Sequence, residues 1–203
     1  MIAGRIGPNA IIQTAAALER RVGWARADAI LWRAVGRHLD EMPDQMVDEA
    51  EVIALIHELR ETMGSVERAA VLREAGRRTA DYLIAHRIPR PAQWLMRLVP
   101  RAVGLRLLLA GIARHTWTFA GTARVRVETG DPTTMSLSHC PMCRGMQSAA
   151  PCCDYYVGTL EHLLQRLISP DAVVEEVACE AAGAAACVMR LGFTPNGGGA
   201  PPD

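Results

Sequence analysis

The chain has 203 residues, half of them apolar, and no net charge. That length holds one domain of good size with a substantial core, and zero net charge argues against broad electrostatic binding of nucleic acid. All 22 basic residues are arginine, which excludes Schiff-base chemistry, a pyridoxal phosphate anchor and a Walker-type phosphate lysine. No apolar run reaches the roughly 18 residues of a membrane span. Residues 1–21 lack the charged-then-apolar order of a secretory leader, so the cytoplasm is the expected location.

In chain order, Arg5-Ile6-Gly7-Pro8-Asn9 reads as a turn. A helix is predicted from Ala10 to Val22, with Ile11, Ile12, Ala15, Leu18 and Val22 on one face and Gly23 as its stop. A second runs from Arg26 to His38, and Trp24 and Trp32 are expected in the core. The acids between Asp40 and Glu51 read as a solvated loop and the negative start of a helix reaching Met63. Another helix is predicted from Val66 to His86, broken by Ile88-Pro89-Arg90-Pro91. Two short helices follow, Pro91 to Leu98 and Arg101 to Arg114. They set Arg97, Arg101 and Arg106 beside Trp94, Leu95 and Leu98. Such a stretch is either a core helix with arginine stems at its edge, or a basic amphipathic face for a membrane or a flat, carboxylated ligand.

From Thr116 the period shortens to two, and Trp117, Phe119, Val125 and Val127 alternate as in a strand. A turn at 129–132 and a strand over 134–139 follow, then a Cys/Pro/Gly loop, a helix from Cys153 to Ile168, and a hairpin of 173–179 with 185–193. Residues 194–203 are expected to be a disordered Gly/Pro tail. The fold class is α+β: a helical N-terminal region (1–114) packed on an αβ domain (115–193) with about four antiparallel strands. No GxGxxG follows a strand and no Ser-His-Asp spacing stands out.

The chemistry gathers in the last third. All six cysteines lie between Cys140 and Cys187. Cys140-Pro-Met-Cys143 is a CxxC pair, Cys152 and Cys153 precede a helix, and Cys179 and Cys187 are symmetric about Gly183. A hairpin turning at Gly183 would set those last two sulfurs opposite each other across the ladder. Three segments can therefore bring thiols to one point, as in a structural zinc site with a thiolate-rich tetrahedral shell. The alternatives are an iron–sulfur cluster, disulfides, or inert buried thiols. Of the histidines, His139 is the one candidate ligand.

The pattern Cys153-x4-Gly158 and Glu176-x2-Cys179-x3-Gly183-x3-Cys187 resembles the 4-vinyl reductase domain family. The run Arg5 to Ile11 and the Cys-Pro-Met-Cys-Arg-Gly segment at 140–145 are similar to its bacteriochlorophyll-pathway branch. The resemblance implies a zinc held by Cys153, Cys179, Cys187 and an acid, here Glu176, with Cys143 and Cys140 as rivals for the fourth position. It implies the fold of a trafficking-complex subunit family, helices around a sheet with an apolar pocket. The implied ligand is a porphyrin or Mg-tetrapyrrole, with Trp94, Arg97, Arg101, Arg106 and Trp117 as pocket residues. Two functions follow: a substrate carrier serving magnesium chelatase or the methyltransferase after it, or a reductase of the vinyl group of divinyl protochlorophyllide. A small-molecule sensor is a third. Further expectations are a homodimer, peripheral contact with the photosynthetic membrane, and no nucleic-acid partner.

Overall fold

The computed structural model describes residues 4–194, apart from the side chain of Trp117. The tail beyond Thr194 and the pocket role of Trp117 therefore fall outside the described residues. The elements are β1 (Arg5–Ile6), α1 (Asn9–Val22), α2 (Trp24–Val35), β2 (Val47–Asp48), α3 (Glu49–Thr62), α4 (Ser65–His86), α5 (Arg90–Leu98) and α6 (Arg101–Arg114), followed by β3 (Arg124–Glu128), β4 (Thr133–Ser138), α7 (Asp154–Leu167), β5 (Ala172–Ala178) and β6 (Cys187–Phe193). The four C-terminal strands form one antiparallel sheet in the order β3-β4-β6-β5. The architecture is α+β, with a helical N-terminal half.

One face of the sheet is core. Met135 and Leu137 of β4, Met189 and Leu191 of β6, and Ala172 and Val174 of β5 are all buried, every second residue along each strand. α7 lies on that face through Leu160, Leu163, Leu164 and Leu167, and α4 crosses α7 on its far side. Two glycines permit that crossing. A methyl group on Gly158 would sit 2.9 Å from the Arg73 Cα, and one on Gly76 would sit 2.7 Å from the Thr159 nitrogen. The two backbones touch there, and any side chain would force them apart. At the same crossing the buried Tyr155 hydroxyl meets that of Thr79 at 2.8 Å. Burial pushes the Tyr155 phenol up to about 12.

Several expectations change. Trp117 and Phe119 do not extend a strand: Thr116–Thr118 is a 3-10 turn, and β3 begins only at Arg124. Gly121 adopts φ 58°, which breaks the extended path that period-two alternation implied. Arg5 and Ile6, read as part of a turn, pair with Asp48 and Val47 in a two-stranded ribbon. Trp24 and Trp32 are not core: each is more than half exposed, and Trp32 stacks on His38 at 4.6 Å. The second helix ends at Val35 because Gly36 takes the left-handed cap at φ 66°. Glu49, grouped with the solvated acids, is buried at the start of α3.

Candidate metal centre

Three segments deliver the thiols. The first is the loop after β4. His139 turns the chain with φ 61°, and the Glu180 carboxylate accepts the His139 and Cys140 amides, each at 2.7 Å. The turn closes where the Cys143 N–H meets the Cys140 carbonyl at 3.3 Å. α3 clamps the same loop from outside: Arg144 reaches Glu49 at 2.8 Å, His57 Nε2 meets the Arg144 carbonyl at 2.8 Å, and Arg60 donates to the Gln147 carbonyl. Burial alone would raise Glu49, but the Thr122 amide and hydroxyl, then Arg144, outweigh it and hold the carboxyl below its usual range.

The second segment is the start of α7. The Cys153 carbonyl accepts from the Tyr156 and Val157 amides and opens the helix. Cys153 therefore sits at a positive helix end, which favours a thiolate. Its own amide donates to Glu176 Oε2 at 2.7 Å, tying this turn to β5.

The β5–β6 connection supplies the third. Glu176 and Cys179 are three residues apart, so an unbroken strand would send them to opposite faces. A bulge between Glu176 and Ala178 turns both inward. The 3-10 turn Glu180–Ala182 and Gly183 at φ 92° bring the chain back, and the Glu180 amide points at Cys187 Sγ, 3.4 Å away. Cys179 and Cys187 do not pair across the ladder as expected. Cys187 pairs with Leu137 of β4, while Cys179 lies beyond the last β5 pair, yet their sulfurs are 3.8 Å apart.

The sulfurs converge. Cys153 Sγ lies 3.6 Å from Cys140, 3.6 Å from Cys187 and 4.0 Å from Cys179, and Cys143 lies 3.3 Å from Cys187. A tetrahedral ion with metal–sulfur bonds of about 2.3 Å sets its sulfurs roughly 3.8 Å apart. Two four-donor sets meet this spacing: Cys140, Cys143, Cys153 and Cys187, and Cys153, Glu176, Cys179 and Cys187. The donors fit a cation on a second count. Glu176 Oε1 is buried with no hydrogen-bond partner, and burial, followed by the nearby Cys179, pushes that carboxyl up to about 8. The neighbouring thiols, Cys143 first, hold Cys179 far below the ordinary thiol range. Cys152, 3.9 Å from Cys179, joins neither set. The His139 side chain is exposed and also joins neither.

The other sequence candidates lie elsewhere. Trp94, Arg97, Arg101 and Arg106 stand on the outer face of the α5–α6 pair, and all are exposed. Arg101 pairs with Asp171 at 2.7 Å and lies over the Phe193 ring. They line neither of two clefts in the molecule. One cleft, of about 330 Å³, opens beside Glu176 between Arg73, Asp154, Glu161 and Val173. The other lies between Arg60, Arg68 and Gln147. Sequence reasoning missed Glu49 and Glu180, whose roles depend on contacts with residues 73 and 40 positions away.

The 4-vinyl reductase (V-4-R) domain family matches residues 133–193, the segment from β4 to β6 that contains every donor. The bacteriochlorophyll synthase 23 kDa chain of Cereibacter sphaeroides is 41% identical over 190 residues, 94% of this chain and 91% of that one. This chain belongs to that family. The Rhodobacter capsulatus 23 kDa chain is 35% identical, over 92% of this chain and 86% of its own length. The resemblance carried by Cys153, Gly158, Glu176, Cys179 and Cys187 therefore holds for this family member. Among solved structures, an H-NOX protein studied for heme distortion aligns with a TM-score of 0.60 at 18% identity, over 98% of this chain and 100% of that one. An H-NOX protein from S. oneidensis aligns at 0.53 and 11% identity, over 94% and 100%. At such identities the likeness is one of fold.

Proposed function

We propose that this chain serves bacteriochlorophyll biosynthesis as a tetrapyrrole-binding accessory protein. It holds a Mg-tetrapyrrole or its precursor and presents it to magnesium chelatase or to the methyltransferase that follows. The names of its relatives support the pathway. One observation carries the finer reading: α5 and α6 repeat the same exposed motif. Trp94, Arg97 and Leu98 follow i, i+3, i+4 on α5, and Val103, Arg106 and Leu107 do so on α6, all exposed to solvent. From Arg87 to Arg114 there are six arginines and no acid. A flat apolar macrocycle edged by carboxylates matches apolar side chains interleaved with guanidinium groups. The H-NOX likeness adds only that this fold serves heme proteins elsewhere.

The cysteine centre holds zinc in this reading and acts structurally. A closed thiolate-rich zinc site supplies folding energy, and here it would pin the α7 N-terminus, the post-β4 loop and the β5–β6 turn together. The sulfur spacings of 3.6–4.0 Å around Cys153 support one-ion tetrahedra over an iron–sulfur cluster, in which inorganic sulfide holds the cysteines of different irons farther apart.

Titration of the purified chain with Mg-protoporphyrin, followed by tryptophan quenching and Soret absorbance, tests the carrier role. Saturable binding is expected, weakened about tenfold or more by Arg97→Glu with Arg106→Glu, since each lost charge-assisted contact costs about 1.5–3 kcal/mol. Binding indifferent to those changes would overturn the site. Catalytic conversion of a divinyl substrate to the monovinyl product with NADPH would replace the carrier by the reductase.

A further inference from the structure

We propose that the centre is built for two metal ions sharing an edge, with Cys153 and Cys187 as bridging thiolates. The inference rests on the metal reading above and extends it to a second site. The two four-donor sets are not rivals for one position. They have Cys153 and Cys187 in common, and each adds two donors of its own: Cys140 and Cys143 on one side, Glu176 and Cys179 on the other. Two tetrahedra joined along the Cys153–Cys187 edge use all six donors, with two terminal and two bridging ligands for each ion. The shared edge is 3.6 Å long, a length that serves both tetrahedra at once.

A single ion serves this arrangement poorly. Seated among Cys153, Glu176, Cys179 and Cys187, it leaves Cys140 and Cys143 buried and pressed against its ligands, at 3.6 Å from Cys153 and 3.3 Å from Cys187. Seated in the other set, it leaves Glu176 Oε1 buried without a partner. Two divalent ions against five thiolates and one carboxylate leave the same net charge, −2, as one ion in a four-thiolate site. Filling the centre releases the thiol protons to solvent and changes no oxidation state. The clamp from α3 onto the Cys140–Cys143 loop, through Glu49, His57 and Arg60, then reads as support for the second ion's terminal ligands.

The test is metal stoichiometry of the full chain reconstituted with zinc under reducing conditions. Two zinc ions per chain are expected in the wild type, and one in Cys140→Ser with Cys143→Ser. One ion in the wild type overturns the proposal while leaving the structural zinc intact. None overturns both. A cobalt(II) titration of the wild type guards against a variant that fails to fold. Thiolate-to-cobalt absorption should rise through two equivalents, while the paramagnetic resonance signal grows to one equivalent and falls as the second ion couples to the first. A signal growing linearly to two equivalents would contradict the shared thiolates.

Discussion

Gly158→Ala tests how the metal centre is positioned. The added methyl would lie 2.9 Å from the Arg73 Cα, where carbon–carbon contact wants about 3.5–4.0 Å. Neither partner is a movable side chain, so α4 and α7 must part by about 1 Å. Overpacking of this kind costs about 1–3 kcal/mol, and with main chain on both sides the upper end applies. Alanine returns about 1 kcal/mol of helix propensity. The net loss is about 2 kcal/mol, or roughly 4–8 °C in melting temperature for a chain of this size. Because Cys153 sits at the head of α7, zinc affinity should fall as well. Thermal unfolding by circular dichroism, with and without a zinc chelator, measures both. An unchanged or higher melting temperature would refute the backbone contact. Gly76→Ala relieves itself by the same separation, so the double variant should lose less than the sum of the two.

Cys187→Ser removes a donor common to both four-ligand sets and should abolish tight metal binding, whereas Cys152→Ser should leave metal content at the wild-type level; metal analysis of the purified variants decides. Glu49→Gln removes the charge that Thr122 and Arg144 satisfy beneath the Cys140 loop, at a cost of about 1–3 kcal/mol, read from urea midpoints. His38 and Asp28 form a pH-sensitive pair at 2.8 Å. The Asp28 hydrogen bond raises His38 above its ordinary 6.5, so the stability it contributes is present below pH 6.5 and lost as pH rises through the folded value. Asp28 is lowered, first by the Leu39 amide and then by His38; its contribution is present above pH 3.8 and lost as pH falls through the folded value. A proton resonance titration should place the His38 midpoint above 6.5 and find it lower in Asp28→Asn.

Much of this was readable in the sequence because it rests on local periodicity. The helices fall within a few residues of their predicted ends, since Gly23, Gly36, Gly64 and the Pro89 and Pro91 pair punctuate them regardless of tertiary context. The clustering of thiols was legible for the same reason: six cysteines confined to one stretch need a common purpose. What failed was register. Alternation alone joined Trp117 and Phe119 to β3, because φ 58° at Gly121 leaves no mark on a hydropathy pattern. The bulge that turns Glu176 and Cys179 to one side was likewise invisible, although three-residue spacing within a strand hints at it. Burial of Glu49 depends on Thr122 and Arg144, which are remote in sequence. The exposed apolar faces of α5 and α6 left two readings open, since a core stripe and a binding stripe have the same period.

X-ray absorption at the zinc edge of the purified wild-type chain reports on the centre most directly. The expected first shell is dominated by sulfur at about 2.3 Å, with a minor oxygen contribution near 2.0–2.2 Å from Glu176. A shell made only of oxygen and nitrogen, as at an opportunistic surface histidine, would contradict a thiolate-bound ion.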